Sequence, residues 1–141
     1  MATQANTTRT PAQTFALVFG AVYLLVGIVG FFITGFDDFA GKTYHDELII
    51  FALNPLHNLV HIGLGAVWLG AAGRQDSART VNLVFGIVLF LVFVLGIAGG
   101  LKWLAIENAG APDNYLHVVT ALLAIYFGSA GATATQQTAS A

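Results

Sequence analysis

The sequence predicts an all-α integral membrane protein built as a four-helix bundle. Of its 141 residues, 57% are hydrophobic and only 9% are charged, and the mean hydropathy is +0.78. A soluble domain of this size could not cover so much apolar surface with so few charges. A helix needs about 20 mostly apolar residues to cross the hydrocarbon core. The stretches that meet this requirement are residues 12–34, 55–72, 80–101 and 113–130.

Composition also excludes several other classes of protein. Strands of a membrane barrel alternate apolar and polar residues, and these four segments do not. The net charge is -2 and no basic patch is present, so nucleic acid is not an expected partner. The chain has no cysteine, which rules out disulfides and thiolate metal sites. The expected surroundings are therefore a lipid bilayer.

The ends of the chain are predicted to be polar tails, residues 1–11 and 131–141, the first of them disordered. The apolar run that begins at residue 12 is too long for a signal-peptide core and ends without a small-residue cleavage site, so we interpret it as a retained anchor. Short loops place Arg9, Arg74 and Arg79 on one side of the bilayer and Lys42 and Lys102 on the other. The excess of basic residues predicts that both tails are cytoplasmic, in a cell's inner (plasma) membrane.

The link between the first two helices is too polar for lipid and is predicted to lie at the membrane surface. Within it, Tyr44–Phe51 could form a short interfacial helix. Trp68 and Trp103 lie near helix ends, where the amphipathic indole suits interfacial anchoring.

The two halves of the chain share a pattern. Residues of the first helix recur 66 positions later, from Thr14 and Thr80 onward, and the second pair of helices aligns at an offset of 56. Two helical hairpins of like orientation imply a pseudo-twofold axis along the membrane normal. The glycines of the first and third helices would let backbones approach closely, within the chain or in a homo-oligomer or larger membrane complex. Matched positions include Gly20 with Gly86, Gly30 with Gly96, Asn58 with Asn114, His61 with His117 and His57 with Asp113.

The second helix carries the strongest chemical signal. Asn54 and Pro55 predict its start, since proline suits the first helical position and asparagine can cap the free amides. His57 and His61 are four residues apart, so they lie one above the other on the same helix face. Ionisable side chains within a spanning helix are costly to leave unpaired, which favours a functional role.

The second and fourth helices are diagonal neighbours in a sequential bundle, so their matched polar residues could meet in the outer leaflet. Three imidazoles and a carboxylate are a ligand set suited to Zn, Cu or Fe. In this hypothesis two asparagines orient the ligands as an outer layer. The predicted metal ligands are His57, His61, Asp113 and His117, and the predicted orienting residues are Asn58 and Asn114.

Two other interpretations remain open at this point. His61 and His117 could be paired axial ligands of a haem b in an electron carrier, with Gly30 and Gly96 making room for the porphyrin. Alternatively, the polar groups only hydrogen-bond one another and staple the bundle of a structural subunit or scaffold together. No Ser-His-Asp set, glycine-rich phosphate loop or carboxylate dyad is present, so the sequence does not favour an enzyme.

The segments Asn54-Pro55-x-His57-Asn58-x-x-His61 and Asp113-Asn114-x-x-His117 resemble those of a family of small four-helix bacterial membrane proteins, mainly actinobacterial and of the DUF4383 type. The resemblance covers about residues 12–130. It implies a four-helix membrane protein in which these polar residues are a family feature. It implies no activity, because the family is known only as a domain of unknown function.

Overall fold

Four helices form the fold in a computed structural model that describes residues 8–41 and 46–130. This confirms the all-α prediction. The other elements of the described residues are a two-stranded antiparallel pair and one turn of 3-10 helix, Lys102–Leu104, in the link before the last helix. The elements are α1 Pro11–Thr34, β1 Glu47–Leu48, β2 Phe51–Ala52, α2 Pro55–Ala71, α3 Gln75–Ile97 and α4 Pro112–Ser129.

The helix starts follow from capping chemistry. At α1, Thr10 and Gln13 form a reciprocal capping box, with Pro11 in the first turn. At α2, the Asn54 side chain accepts a 2.8 Å hydrogen bond from the His57 amide, as the sequence predicts. Pro112 opens α4 in the same manner as Pro55 opens α2. The Asn54 cap with Pro55 fixes the first turn of α2, and Pro112, without a side-chain cap, fixes that of α4.

The third helix differs from its predicted bounds. It begins at Gln75 rather than Thr80 and ends at Ile97 rather than Leu101. The polar residues before Thr80 belong to the helix, because Asp76 in the first turn interacts favourably with the positive end of the helix dipole. It ends before Gly99, whose φ of +76° begins the turn out of the helix.

The predicted interfacial helix over Tyr44–Phe51 is wrong for the residues that the structure describes. Glu47 pairs with Ala52 and Leu48 pairs with Phe51, so this segment turns back on itself as a tight antiparallel hairpin. The turn lets Leu53 bury its side chain while its amide donates to the Asp46 carbonyl at 2.8 Å. Residues 1–7, 42–45 and 131–141 lie outside the described residues, and with them most of both predicted tails.

The helices pack as two hairpins, α1 with α2 and α3 with α4, and α1 also contacts α3. Glycines bring the paired backbones close together. A Cβ added at Gly27 would lie 2.6 Å from the Asn58 carbonyl oxygen, and one added at Gly86 would lie 2.9 Å from the Ile125 amide nitrogen. Both separations are too short for real Cβ contacts, so these positions need glycine.

Aromatic residues join the two hairpins at the end of the bundle that carries the short link 72–74, which we call the terminal end. The Phe15 ring stacks on Phe127 with centroids 5.3 Å apart, and the Trp68 ring meets Phe85 edge-on at 5.0 Å. Trp68 is fully buried, and its indole donates to Asn82 at 2.9 Å. The predicted interfacial role is therefore wrong for Trp68, whereas Trp103 is half-exposed.

Polarity is distributed in the opposite sense from that of a water-soluble bundle. Large apolar side chains point outward from all four helices, up to 87% exposure for Phe32. Among the described residues, two helices, α1 and α3, are long and apolar enough to cross a membrane. The buried polar residues are Asn54, His57, Asn58, His61, Asn82, Asp113, Asn114, His117 and Thr120.

We predict that Gly30→Ala and Gly96→Ala each destabilise the protein by about 1–3 kcal/mol. A Cβ at either position would overlap the side-chain amide of Asn58 or Asn114. Unfolding of the purified protein in detergent measures the effect. The matched controls are Gly63→Ala and Gly70→Ala, where a Cβ meets no described atom within 4 Å. Equal stability of all four variants would contradict the packing described.

We also predict that Asn82→Leu costs about 1–3 kcal/mol, because the buried Trp68 N–H loses its acceptor. Adding Trp68→Phe removes that donor, so the double variant should be less destabilised than the sum of the two single variants. The same unfolding measurement provides the comparison. Strictly additive costs would show that the two side chains do not depend on each other.

Candidate metal centre

Three histidines meet where α2 and α4 approach each other, at the end of the bundle that carries the links 35–54 and 98–111. We call this the loop end. His57 and His61 come from successive turns at the start of α2, and His117 comes from the second turn of α4. One ring nitrogen of each lies within 4.8 Å of those of the other two. The three side chains are 2%, 5% and 3% exposed, so the cluster is closed to bulk water.

The rings are arranged around a common centre rather than stacked in a row. The His57 and His61 centroids are 4.5 Å apart with the planes nearly perpendicular, at 74°. The His57 and His117 centroids are 6.1 Å apart across the helices. The ring contact between α2 and α4 is thus made by His57 and His117. His61 and His117, the pair matched in the sequence, also have ring nitrogens within 4.8 Å of each other.

Hydrogen bonding does not satisfy this cluster. Within the described part of the chain, neither ring nitrogen of His61 has a hydrogen-bond partner, and the same holds for Nδ1 of His117. Buried polar atoms are nearly always paired, and exceptions call for an explanation such as a bound ion or water. The cluster thus has nitrogen lone pairs available for a further group.

Asp113 lies beside the histidines but outside their tight group. Its Oδ1 is 4.0 Å from Nε2 of His57, which is longer than a hydrogen bond, and the side chain is 3% exposed. Its other oxygen, Oδ2, has no hydrogen-bond partner among residues 8–41 and 46–130. The carboxylate is therefore placed on the loop side of the cluster, next to His57, as the sequence predicts.

The two asparagines do not donate to the histidines. Asn58 donates from Nδ2 to Thr34 Oγ1 at 3.0 Å, and Asn114 donates to the carbonyls of Asn108 and Ala109 at 2.9 and 3.3 Å. Their amides also fill the space beside Gly30 and Gly96. The space beside those glycines is therefore taken by asparagine side chains. The glycines no longer support the haem interpretation, which needed that space for the porphyrin. The orienting role of Asn58 and Asn114 stays a prediction.

Sequence reasoning missed Tyr23 and Thr120. Tyr23 is buried on α1, with its ring 4.9 Å from that of His61 and 5.1 Å from that of Trp68. Thr120, one turn beyond His117 on α4, is 1% exposed. The available signal for Thr120 is its spacing of three residues from His117, which places both on one helix face.

The links at the loop end cover the cluster. Leu101, Leu104 and Ile106 form a small apolar cluster of their own, with Leu56 packed against it. Asn54 joins this cover to α2, because its Nδ2 donates to the carbonyls of Trp103 and Gly41 at 2.8 and 3.2 Å. Asn54 thus ties the links of the loop end to the start of α2, beside His57.

Comparison with known proteins assigns the chain to a family but indicates no activity. No curated protein and no solved structure matches the chain. The family described as Domain of unknown function (DUF4383) matches residues 13–130, which include all four helices except the first residues of α1. The chain therefore belongs to the DUF4383 family.

Proposed function

We propose that this protein binds one transition metal ion in a membrane-embedded site made by His57, His61 and His117. The observation that carries the proposal is the cluster itself, in which three buried imidazoles place ligand atoms within 4.8 Å of one another. Both nitrogens of His61 lack a hydrogen-bond partner among the described residues. A cation shared by the three rings would give one of the two His61 nitrogens a partner, and the other nitrogen would keep its N–H.

The distances are compatible with an ion after a small contraction. Imidazole nitrogens bind Zn²⁺ at about 2.0–2.1 Å, so ligand atoms of a tetrahedral site are about 3.3 Å apart. The observed upper limit of 4.8 Å exceeds this value by an amount that side-chain rotations can supply. His57 and His61 share one helix face, so both can turn toward an ion that also contacts His117.

The donor set favours Zn, Cu or Fe over Mg or Ca. Imidazole suits the first group, whereas carboxylate, carbonyl and water oxygens suit the second. Three histidines leave a fourth position, which the Asp113 carboxylate or a water could take. Asp113 could instead orient His57, since metal-bound histidines commonly donate their other N–H to a carboxylate.

The scaffold interpretation has less support. It requires the polar groups to hydrogen-bond one another, and the described contacts of His61 include no such bond. The closest polar approach between His57 and Asp113 is 4.0 Å. A cluster whose purpose was to staple helices would be expected to have shorter contacts.

We infer further that all four helices span the bilayer. An exterior of Leu, Ile, Val and Phe around an interior of His, Asn, Asp and Thr suits lipid rather than water. At about 1.5 Å per residue, the 17 residues of α2 extend about 26 Å. That length is near the lower limit for crossing a hydrocarbon core about 30 Å thick.

The proposed internal repeat is supported by matched contacts at the terminal end. Gln13 Nε2 donates to the Ala72 carbonyl at 3.0 Å, and Arg79 Nε donates to the Gly128 carbonyl at 3.2 Å. These donors and acceptors are related by the same offsets, 66 and 56, that align the two halves of the sequence. A second matched pair is the contact of Gly30 with the Asn58 side chain and that of Gly96 with the Asn114 side chain.

Metal analysis tests the proposed site directly. The protein, purified in mild detergent, stripped with a chelator and reloaded with Zn²⁺ or Co²⁺, should retain about one ion per chain. His61→Ala and His117→Ala should reduce this strongly, because each removes one of three ligands. Asn82→Leu is the matched control, since it perturbs a buried polar residue at the terminal end and should retain the ion.

Two results would overturn the metal proposal. Wild-type protein that retains no Zn²⁺, Co²⁺, Cu or Fe would leave the scaffold interpretation ahead. A Soret band in the purified protein that is lost in His61→Ala would establish haem instead. An optical spectrum recorded on the same samples distinguishes these results.

Single-cysteine labelling tests the membrane topology, because the chain has no cysteine of its own. With four spans, Asp37→Cys and Asn108→Cys should react with an impermeant maleimide added to intact cells. Gly73→Cys should react only after permeabilisation. If only α1 and α3 crossed the bilayer, Asp37→Cys and Gly73→Cys would label from the same side. The reverse pattern would contradict the predicted cytoplasmic position of the two tails.

A further inference from the structure

We propose that the metal ion reaches the histidines as a free divalent cation through an acidic mouth at the loop end, lined by Glu47 and Glu107, with Asp113 at its floor. This inference rests on the proposed metal site and adds the route and the ionic form in which the metal arrives. It assigns a role to three carboxylates from three separate segments, the strand pair, the link after α3 and the start of α4.

The mouth is a cavity of about 220 Å³ between the strand pair and the link that precedes α4. Its walls include Glu47 and Ala52 on one side and Glu107 and Asn108 on the other, and Asp113 also lines it. The two glutamates are exposed, whereas Asp113 is 2% exposed. The carboxylates therefore run from the solvent inward.

Asp113 connects this cavity to the histidines. It lines the mouth, and its Oδ1 is 4.0 Å from Nε2 of His57. In the part of the chain that the structure describes, its buried Oδ2 has no hydrogen-bond partner. A buried carboxylate oxygen without a donor is suited to receive a cation, and from there the next available ligand is His57.

Charge at the rim should speed the arrival of a cation. Clefts lined by one sign of charge raise the local concentration of oppositely charged solutes and increase association rates by about 10- to 10³-fold. Glu47 and Glu107 supply negative charge at the opening, and the exposed Lys102 is not among the residues that line it. Acid-to-amide changes at the rim should therefore slow association more than they reduce the amount bound.

The neighbouring surfaces are unsuitable for an ion. A second cavity of about 530 Å³ adjoins the mouth, but its lining by Ile50, Phe51, Tyr115, Leu116 and Val119 is almost entirely apolar. A cation would lose its hydration there without gaining ligands. Toward the terminal end, the buried Trp68 ring packs against the partly buried Phe85 ring.

Stopped-flow loading of the chelator-stripped, full-length protein with Co²⁺ tests this route. The absorbance of Co²⁺ bound by imidazole reports arrival at the histidines. Glu47→Gln combined with Glu107→Gln should lower the association rate constant about tenfold at low salt, with the final amount bound unchanged. Glu47→Lys combined with Glu107→Lys should lower it further, and high salt should diminish both differences.

The control double variant, Asp37→Asn with Asp76→Asn, removes the same number of exposed acidic charges away from the mouth. It should load at close to the wild-type rate. Equal rates for the glutamate variant and the wild type, or equal slowing in the control, would overturn the route while leaving the metal site intact. Absence of Co²⁺ binding by the wild type, with no Zn²⁺, Cu or Fe retained either, would overturn the metal site itself, and the route with it.

Discussion

Close approach of paired helices at glycine is the constraint on which the rest of the structure depends. Without a side chain at Gly30 and Gly96, the amides of Asn58 and Asn114 lie directly against α1 and α3. Each asparagine precedes a histidine by three residues, so fixing the asparagine also fixes the rotation of α2 or α4 about its axis. The rotation that seats Asn58 and Asn114 is the one that turns His61 and His117 inward.

The difference between water and lipid as surroundings would explain how a polar interior can be stable inside an apolar exterior. In water, an exterior of exposed Leu, Ile and Phe would drive aggregation, and a core of imidazole and amide groups would add little stability. In lipid, the apolar exterior costs nothing, and the polar interior is the only place where these groups can find partners. The proposed membrane location and the buried polar cluster therefore rest on the same distribution of residues.

Much of this arrangement could be predicted from the sequence. Four apolar runs, Asn54-Pro55 as a helix start, and two histidines one turn apart are local signals, and the helices and the His57/His61 face follow from them. The predictions failed where long-range packing overrode local composition. Its position near a helix end predicts that Trp68 is interfacial. In the structure, its N–H donates inside the bundle to Asn82, which lies fourteen positions later in the sequence. Tyr23 carries no periodic signal of its own, and the strand pair before α2 depends on the burial of Leu53.

The buried indole of Trp68 has a consequence for the movement of ions through the helix bundle. Its ring, in edge-on contact with both Tyr23 and Phe85, lies between the histidines and the link 72–74. An ion held at the proposed site would meet this aromatic packing on the side of the terminal end. Such packing favours a binding site that is closed at one end over a channel that connects two compartments.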